Sequence, residues 1–204
     1  EPNSVLGLAN RLLAPFAKRA YVAWSETARV FRRDKARLYG VPLRPGFTPR
    51  SYMPKPGMRR VLVLGGSQGA QALNERVPGA VARLQGELGE VHVIHQTGSD
   101  DDAVAQAYAR AGVSSARTVT FLEDVAGEVA AADVVLARAG AVTVAEIAAI
   151  GRASILVPFP HAADDHQAKN AMALAELGAA VCVRQEVADE ARLADEISRL
   201  LGDE

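Results

Sequence analysis

The run Arg60-Val61-Leu62-Val63-Leu64-Gly65-Gly66-Ser67-Gln68-Gly69-Ala70 sets an apolar stretch directly ahead of a glycine turn and a helical pattern. Glycines without side chains let an anion approach the backbone, and a helix start offers unpaired N–H groups and the positive end of its dipole. Ser67 adds a hydroxyl donor. The same residues also read as a tight turn with Ser67 as an ordinary N-cap. No Lys-Ser/Thr pair follows, so the turn is not a nucleotide P-loop, and the glycine spacing is not Gly-x-Gly-x-x-Gly. A dinucleotide site also needs an acid at the end of the second strand. Here that strand ends His95-Gln96-Thr97-Gly98, which argues against NAD.

A second strand–glycine–helix junction lies at Ala137-Arg138-Ala139-Gly140-Ala141-Val142-Thr143-Val144-Ala145-Glu146. Two such junctions in one sheet can aim two helix N-termini at one diphosphate. Glu146 reads as a first-turn carboxylate able to accept both hydroxyls of a ribose. Thr143-x-x-Glu146 reads equally well as a capping box that needs no ligand. The third cluster, His161-Ala-Ala-Asp164-Asp165-His166-Gln167-Ala-Lys169-Asn170, follows Val157-Pro-Phe-Pro and is rich in groups that hydrogen-bond polyols. Gln167 and Asn170 are three apart, on one helical face. The rival readings are a plain helix start with Asp caps and a metal site at His161, Asp164 and His166. No His-Glu-x-x-His pattern supports the metal, and none is expected. His92 and His95 fall on opposite faces of a strand and read as satisfied polar positions. Asp124 reads as an N-cap, and Leu122, just past a strand, can offer its backbone to a base.

The elements that position these residues follow from periodicity. Strands are expected at 60–64, 91–95, 118–121, 134–136, 154–157 and 180–183. Helices are expected at 70–84, 101–111, 142–150, 167–177 and 191–201. This alternation implies βαβ units: an α/β fold with a Rossmann-like parallel sheet and helices on both faces. Five of the ten prolines fall between Pro42 and Pro56, which marks residues 42–58 as a linker. Residues 1–41, with a helical pattern over 3–14 and a possible strand over 20–24, read as the remnant of a preceding lobe. Residues 59–204 form the main domain. The non-Met start at Glu1 suggests a piece of a longer chain.

The chain is 49% hydrophobic and 23% charged, enough for a proper core. No apolar run is long enough to span a membrane. Its single cysteine, Cys182, excludes an internal disulfide, sits in an apolar run and reads as a core residue. Residues 1–60 hold thirteen Lys/Arg against three Asp/Glu, while the remainder is acidic. A basic segment of this kind suits an anionic surface. Its aromatic residues, Tyr21, Trp24 and Phe31, are too few to suggest nucleic acid.

Taken in order, Gly65–Ala70, Phe121-Leu-Glu-Asp124, Ala132-Asp-Val-Val135, Arg138–Glu146 and Pro158–Asn170 resemble the MurG-type glycosyltransferases of bacterial cell-wall synthesis. Five motifs in register are a specific match. The resemblance implies a two-lobed GT-B fold, of which this chain carries mainly the C-terminal lobe. It implies inverting transfer of N-acetylglucosamine from UDP-GlcNAc to lipid I, with no cofactor. It also implies peripheral attachment at the cytoplasmic face of the bacterial cell membrane. By that resemblance Gly65, Gly66, Ser67, Gln68 and Gly69 contact phosphate, with Arg138 nearby. Leu122 meets the uracil through its backbone. Gly140, Ala141, Val142, Thr143, Val144, Ala145 and Glu146 line the nucleotide, with Glu146 on the ribose. Gln167 and Asn170 read the sugar. Arg44 fits a Gly-Asn-Pro-x-Arg segment that contacts donor, although Val41 replaces its usual Asn. Asn3 fits a His-Glu-x-Asn stretch. No catalytic base is identifiable, since the family's proposed base lies in a glycine-rich loop of the other lobe. A lipid glycosyltransferase of related type, a UDP-GlcNAc epimerase and a non-catalytic nucleotide-sugar module are the alternatives.

Overall fold

The computed structural model describes residues 1–32, 34–66 and 70–202. The Ser67, Gln68 and Gly69 positions of the first glycine turn therefore lie outside the described residues. The N-terminal part contains α1 (Leu8–Leu13), β1 (Ala20–Val22), α2 (Ser25–Ala28) and β2 (Ala36–Leu38). β1 and β2 pair in parallel, with Ala20 opposite Ala36. α1 is shorter than the 3–14 pattern suggests. The Glu1 carboxylate accepts the backbone N–H groups of Asn3 and Gly7 and the side-chain amide of Asn10, which holds the first residues in a turn.

From residue 59 strand and helix alternate. The elements are β3 (Arg59–Leu64), α3 (Gln71–Leu88), β4 (Val91–Gln96), α4 (Asp101–Arg110), β5 (Ala116–Val119), α5 (Val125–Ala131), β6 (Val134–Ala137), α6 (Ala141–Ile150), β7 (Ala153–Leu156), α7 (His166–Glu176), β8 (Val181–Cys182) and α8 (Glu190–Gly202). β3 to β8 form one six-stranded sheet in the order β5-β4-β3-β6-β7-β8, every pair parallel. α5 escapes the periodicity reading because seven residues hold too few turns to register a period. Its N-cap is the expected one: the Asp124 carboxylate accepts the Gly127 N–H at 2.8 Å.

The sheet is apolar on both faces, as a covered parallel sheet must be. Val61 and Val63 of β3 face one layer, where Leu73, Val77, Ala80, Val81 and Leu84 of α3 pack with Leu193 and Ile197 of α8. Leu62 and Leu64 face the other, where Val144, Ile147 and Ile150 of α6 pack with Val129 of α5 and Leu174 of α7. Burying each large aliphatic side chain contributes about 1.5–3 kcal/mol. Cys182 is a free thiol that is only partly buried against this second layer, and burial pushes its pKa up.

The segment 42–58 has no strand or helix, yet it lies against the second layer. Phe47 is buried in that core. The buried Arg152 donates to the carbonyls of Arg50, Ser51 and Ala130. The Tyr52 hydroxyl donates to the Asp133 carboxylate at 2.9 Å.

His95 is fully buried in β4, with Nδ1 3.0 Å from the Tyr108 hydroxyl. Its Nε2 finds no partner among the described residues, so the expectation of a satisfied histidine holds for one nitrogen only. Burial lowers its pKa to about 4, against a smaller opposing pull from Asp101. The unfolded chain takes up a proton near pH 6.5 and the folded chain does not, so folding is favoured in full above pH 6.5. That contribution falls as pH drops toward 4, by about 3 kcal/mol in total. Urea unfolding of wild type and His95→Gln from pH 7.5 to 4.5 is expected to show a stability difference that depends on pH only below 6.5. A difference constant across that range would refute the buried neutral imidazole.

Candidate functional site

β3 and β6 are neighbours in the sheet, with Leu64 opposite Ala137. The turns that follow, at Gly65–Gly66 and Arg138–Gly140, therefore leave the sheet side by side at its carboxyl edge. Gly66 has φ +75°, a left-handed conformation that side chains strain to adopt, which explains glycine there. α3 then packs on one face and α6 on the other. The strand order reverses here, and in open α/β sheets ligands bind at such a crevice. Among the described residues neither helix has a side-chain cap at its start (Ala70 and Gly140), and neither carries an acid in its first turn.

The crevice opens into a cleft of about 1340 Å³ whose wall includes Gly65, Gly66, Ala70, Arg76, Arg138, Phe159, His161 and Gln167. Arg138 donates to the Val157 and Pro158 carbonyls and lies 5.6 Å from the Phe159 ring centroid. Burial, and then the neighbouring Arg76 charge, lower its pKa. Arg76 donates to the carbonyls of Gln185 and Ala188. Among the described residues neither guanidinium has a carboxylate within salt-bridge range, although Glu75 and Asp100 also line the cleft. The Gln167 Oε1 accepts the Phe159 N–H at 3.0 Å, leaving its amide nitrogen to donate. Asp164 and Asp165 both have positive φ, 53° and 54°, in the turn between this wall and α7. Such strain in non-glycine residues concentrates at binding sites.

Glu146 lies elsewhere, and the structure corrects its reading. α6 begins at Ala141 with Gly140 as N-cap, so Thr143 is inside the helix and no capping box exists. Glu146 is in the second turn, not the first, and is buried. Its carboxylate accepts two hydrogen bonds from Arg44, Nε to Oε1 at 2.7 Å and Nη2 to Oε2 at 3.0 Å. The bond to Glu146 raises the Arg44 pKa against partial burial. The Arg44 guanidinium also lies 5.1 Å from the Phe47 ring centroid. Of the remaining stretch, Ala141 and Val144 are buried, while Val142 is exposed and Thr143 and Ala145 are half-buried. The Leu122 side chain is buried in the same layer, and its backbone makes no hydrogen bond among the described residues.

Asn170 is fully buried and its carboxamide is committed to protein groups. Oδ1 accepts the Ser4 N–H at 3.0 Å, and Nδ2 donates to the Ala139 carbonyl at 3.2 Å and faces the Asn3 Oδ1 at 3.5 Å. Although Gln167 and Asn170 are three apart, only Gln167 lines the cleft. Asn3 meets Asn170 rather than the cleft. His161 lines the cleft, whereas Asp164 and Asp165 pair with Arg11 and Arg184. Among the described residues no group of three metal-ligating side chains assembles.

The fold and crevice belong to a known class. Residues 60–204 match the glycosyltransferase family 28 C-terminal domain, and the chain belongs to that family. Its sheet is the C-terminal lobe of a GT-B glycosyltransferase. The chain is 57% identical over 202 residues to the UDP-N-acetylglucosamine–N-acetylmuramyl-(pentapeptide) pyrophosphoryl-undecaprenol N-acetylglucosamine transferase of Sorangium cellulosum, covering 98% of this chain and 50% of that one. The transferase of the same name from Syntrophotalea carbinolica is 42% identical, covering 98% and 56%. The crystal structure of Acinetobacter baumannii MurG superposes with a TM-score of 0.84 at 33% identity, over 99% of this chain and 57% of that one. The chain thus spans about half the length of the curated relatives it matches.

Arg76 and Phe159 were not singled out by sequence reading. Arg76 lies more than a turn into α3, away from any glycine turn, and only the fold brings it beside Arg138. Asn170→Ala is expected to destabilise the chain by roughly 1–3 kcal/mol, by stranding the Ser4 N–H and the Ala139 carbonyl. Urea unfolding checks it, and wild-type stability in the variant would show the carboxamide network to be idle.

Proposed function

We propose that this chain holds the donor UDP-GlcNAc for inverting transfer of N-acetylglucosamine to a lipid-linked muramyl-pentapeptide acceptor, lipid I, giving lipid II in peptidoglycan synthesis. The observation that carries this reading is the pair of uncapped helix N-termini leaving neighbouring parallel strands beside Arg76 and Arg138. Negative charge grows on the departing diphosphate as the acceptor hydroxyl attacks C1 of the sugar. Fixed N–H dipoles and guanidinium groups stabilise that charge without reorganising. On this reading residues 59–204 are the donor domain. The Gly65–Gly69 turn and Arg138 meet phosphate, and the unpaired Leu122 backbone meets the uracil. Glu146 accepts the ribose hydroxyls, and Gln167 donates to the sugar. The names and identities of the relatives support it.

Calorimetry with UDP-GlcNAc, UDP, GDP and NAD is expected to show binding of the uridine ligands, with uridine favoured over guanosine and no NAD binding. Gln167→Ala is expected to narrow the gap between UDP-GlcNAc and UDP while leaving UDP itself little changed. Equal affinity for UDP and GDP would sink the uridine assignment.

Peripheral contact with the cytoplasmic face of the bacterial membrane belongs to the same proposal. Among the described residues no helix is long and apolar enough to cross a membrane. Leu8, Leu12, Leu13 and Phe16 are exposed within the basic N-terminal segment, close in sequence to Arg11, Lys18 and Arg19. Sedimentation with anionic vesicles is expected to fall sharply between low salt and about 0.15 M, where the Debye length is roughly 8 Å. Binding unaffected by salt would remove the electrostatic part of this contact.

A further inference from the structure

The second face of the main sheet is not covered out to its β5 edge. Parallel register sets Leu62, Ile94 and Arg117 side by side across β3, β4 and β5, with Arg60 beside His92 one row earlier. The helix that returns from β5 over this face is α5, and its seven residues span only about 10 Å. Ile94 is left half-buried and Arg117 exposed, although a parallel sheet ordinarily has both faces covered. The gap is a pocket of about 300 Å³ over the amino half of these strands, walled by Ala131 and Ala132 of α5 and by Met58. It shares no lining residue with the cleft at the carboxyl edge.

The floor of this pocket is apolar and its rim is cationic. Arg60 is half-buried, and among the described residues its guanidinium has one partner, the Met58 sulfur, which is a weak acceptor. The neighbouring Asp133 carboxylate takes the Arg60 backbone N–H, not the side chain. Arg117 has no ion pair among the described residues. One carboxylate, Glu128, lines the pocket against these two guanidinium groups, outside salt-bridge range of both. Glu90 stands 4.0 Å from the His92 ring and outside the pocket. The Ser115 hydroxyl is committed to the Val91 carbonyl and the Gln85 amide.

We propose that this pocket binds a small amphipathic carboxylate, its chain lying on Leu62 and Ile94 and its head meeting Arg60 and Arg117. A neutral apolar molecule covers the floor but leaves the guanidinium groups unmatched. A small anion without a chain matches the charge but leaves the floor wet. Only a molecule with both parts satisfies both, and a guanidinium presents its donors in a fork that fits a carboxylate. The volume lies at the lower end for ligand pockets, which limits the chain to a short one. The site lies away from the carboxyl edge and does not rest on the reading of the cleft.

The probe is octanoate, titrated by calorimetry into the 204-residue chain, with hexanoate and octanol alongside. Octanoate is expected to bind one to one and roughly tenfold tighter than hexanoate, because two further CH₂ groups leave water. Octanol is expected to bind roughly tenfold more weakly than octanoate. Arg60→Met and Arg117→Ala are each expected to weaken octanoate roughly three- to tenfold and to leave octanol unchanged. Ala131→Trp fills the gap from the end of α5 and is expected to abolish octanoate binding. Thermal melting of each variant shows that it folds. Excess UDP is expected to leave octanoate binding unchanged. Absence of octanoate binding to wild type overturns the proposal, as does binding that survives in folded Ala131→Trp. Equal affinity for octanoate and octanol overturns it because the guanidinium groups then play no part. Equal affinity for octanoate and hexanoate overturns it because the floor plays none. Displacement of octanoate by UDP puts the probe in the cleft instead and also overturns it.

Discussion

Parallel pairing between β3 and β6 is the constraint on which the site depends. Because Leu64 and Ala137 are opposite one another, the chain leaves the sheet at the same level in both strands. From here β3 crosses to β4 on one side and β6 crosses to β7 on the other, and right-handed crossovers in opposite directions put their helices on opposite faces. α3 and α6 accordingly go to opposite faces. The space between their starts cannot be filled by backbone, so a crevice results, floored by the ends of two strands and flanked by two positive helix ends. The crevice is a consequence of sheet topology before any side chain is chosen.

Side chains then complete what topology leaves open. Several of them break the local rules that stabilise isolated elements. Among the described residues α3 and α6 lack side-chain caps, which elsewhere contribute about 1 kcal/mol each. Asp164 and Asp165 adopt left-handed backbone angles at a cost of about 1–3 kcal/mol each. Arg138 sits half-buried with carbonyls as its partners and another arginine nearby. All three departures gather at one end of the sheet. Natural sequences give up local consistency mainly where function requires it, and these departures lie at the edge of the sheet on which the crevice opens.

The N-terminal fifty-eight residues are fastened to the main sheet domain through polar groups at both edges of the sheet. Asn170 clamps Ser4 and Asn3 to α7, Arg44 clamps Glu146 of α6, and Arg152 holds the carbonyls of Arg50 and Ser51. The first two contacts involve α6 and α7, the helices that flank the cleft on its second face.

Much of this was legible in the residues themselves. The continuous apolar run of β3, the glycines after it and the spacing of Leu73, Val77, Val81 and Leu84 determine a buried strand, a turn and an amphipathic helix, because backbone sterics and period are local properties. Residue order alone also carried the five motifs of the family. What it could not decide was which polar side chains face ligand and which face protein. Glu146 and Thr143 have capping-box spacing, but helix α6 starts at Ala141, and only the pairing of β6 with β3 and β7 sets that start. Gln167 and Asn170 share a helical face by spacing, yet a rotation within that face puts one at the cleft and buries the other against Ser4. Arg44 and Glu146 carry no mark of each other across 102 residues. Hydrogen-bond partnership acts over about 3 Å in space and is indifferent to distance along the chain, so it belongs to the tertiary structure alone.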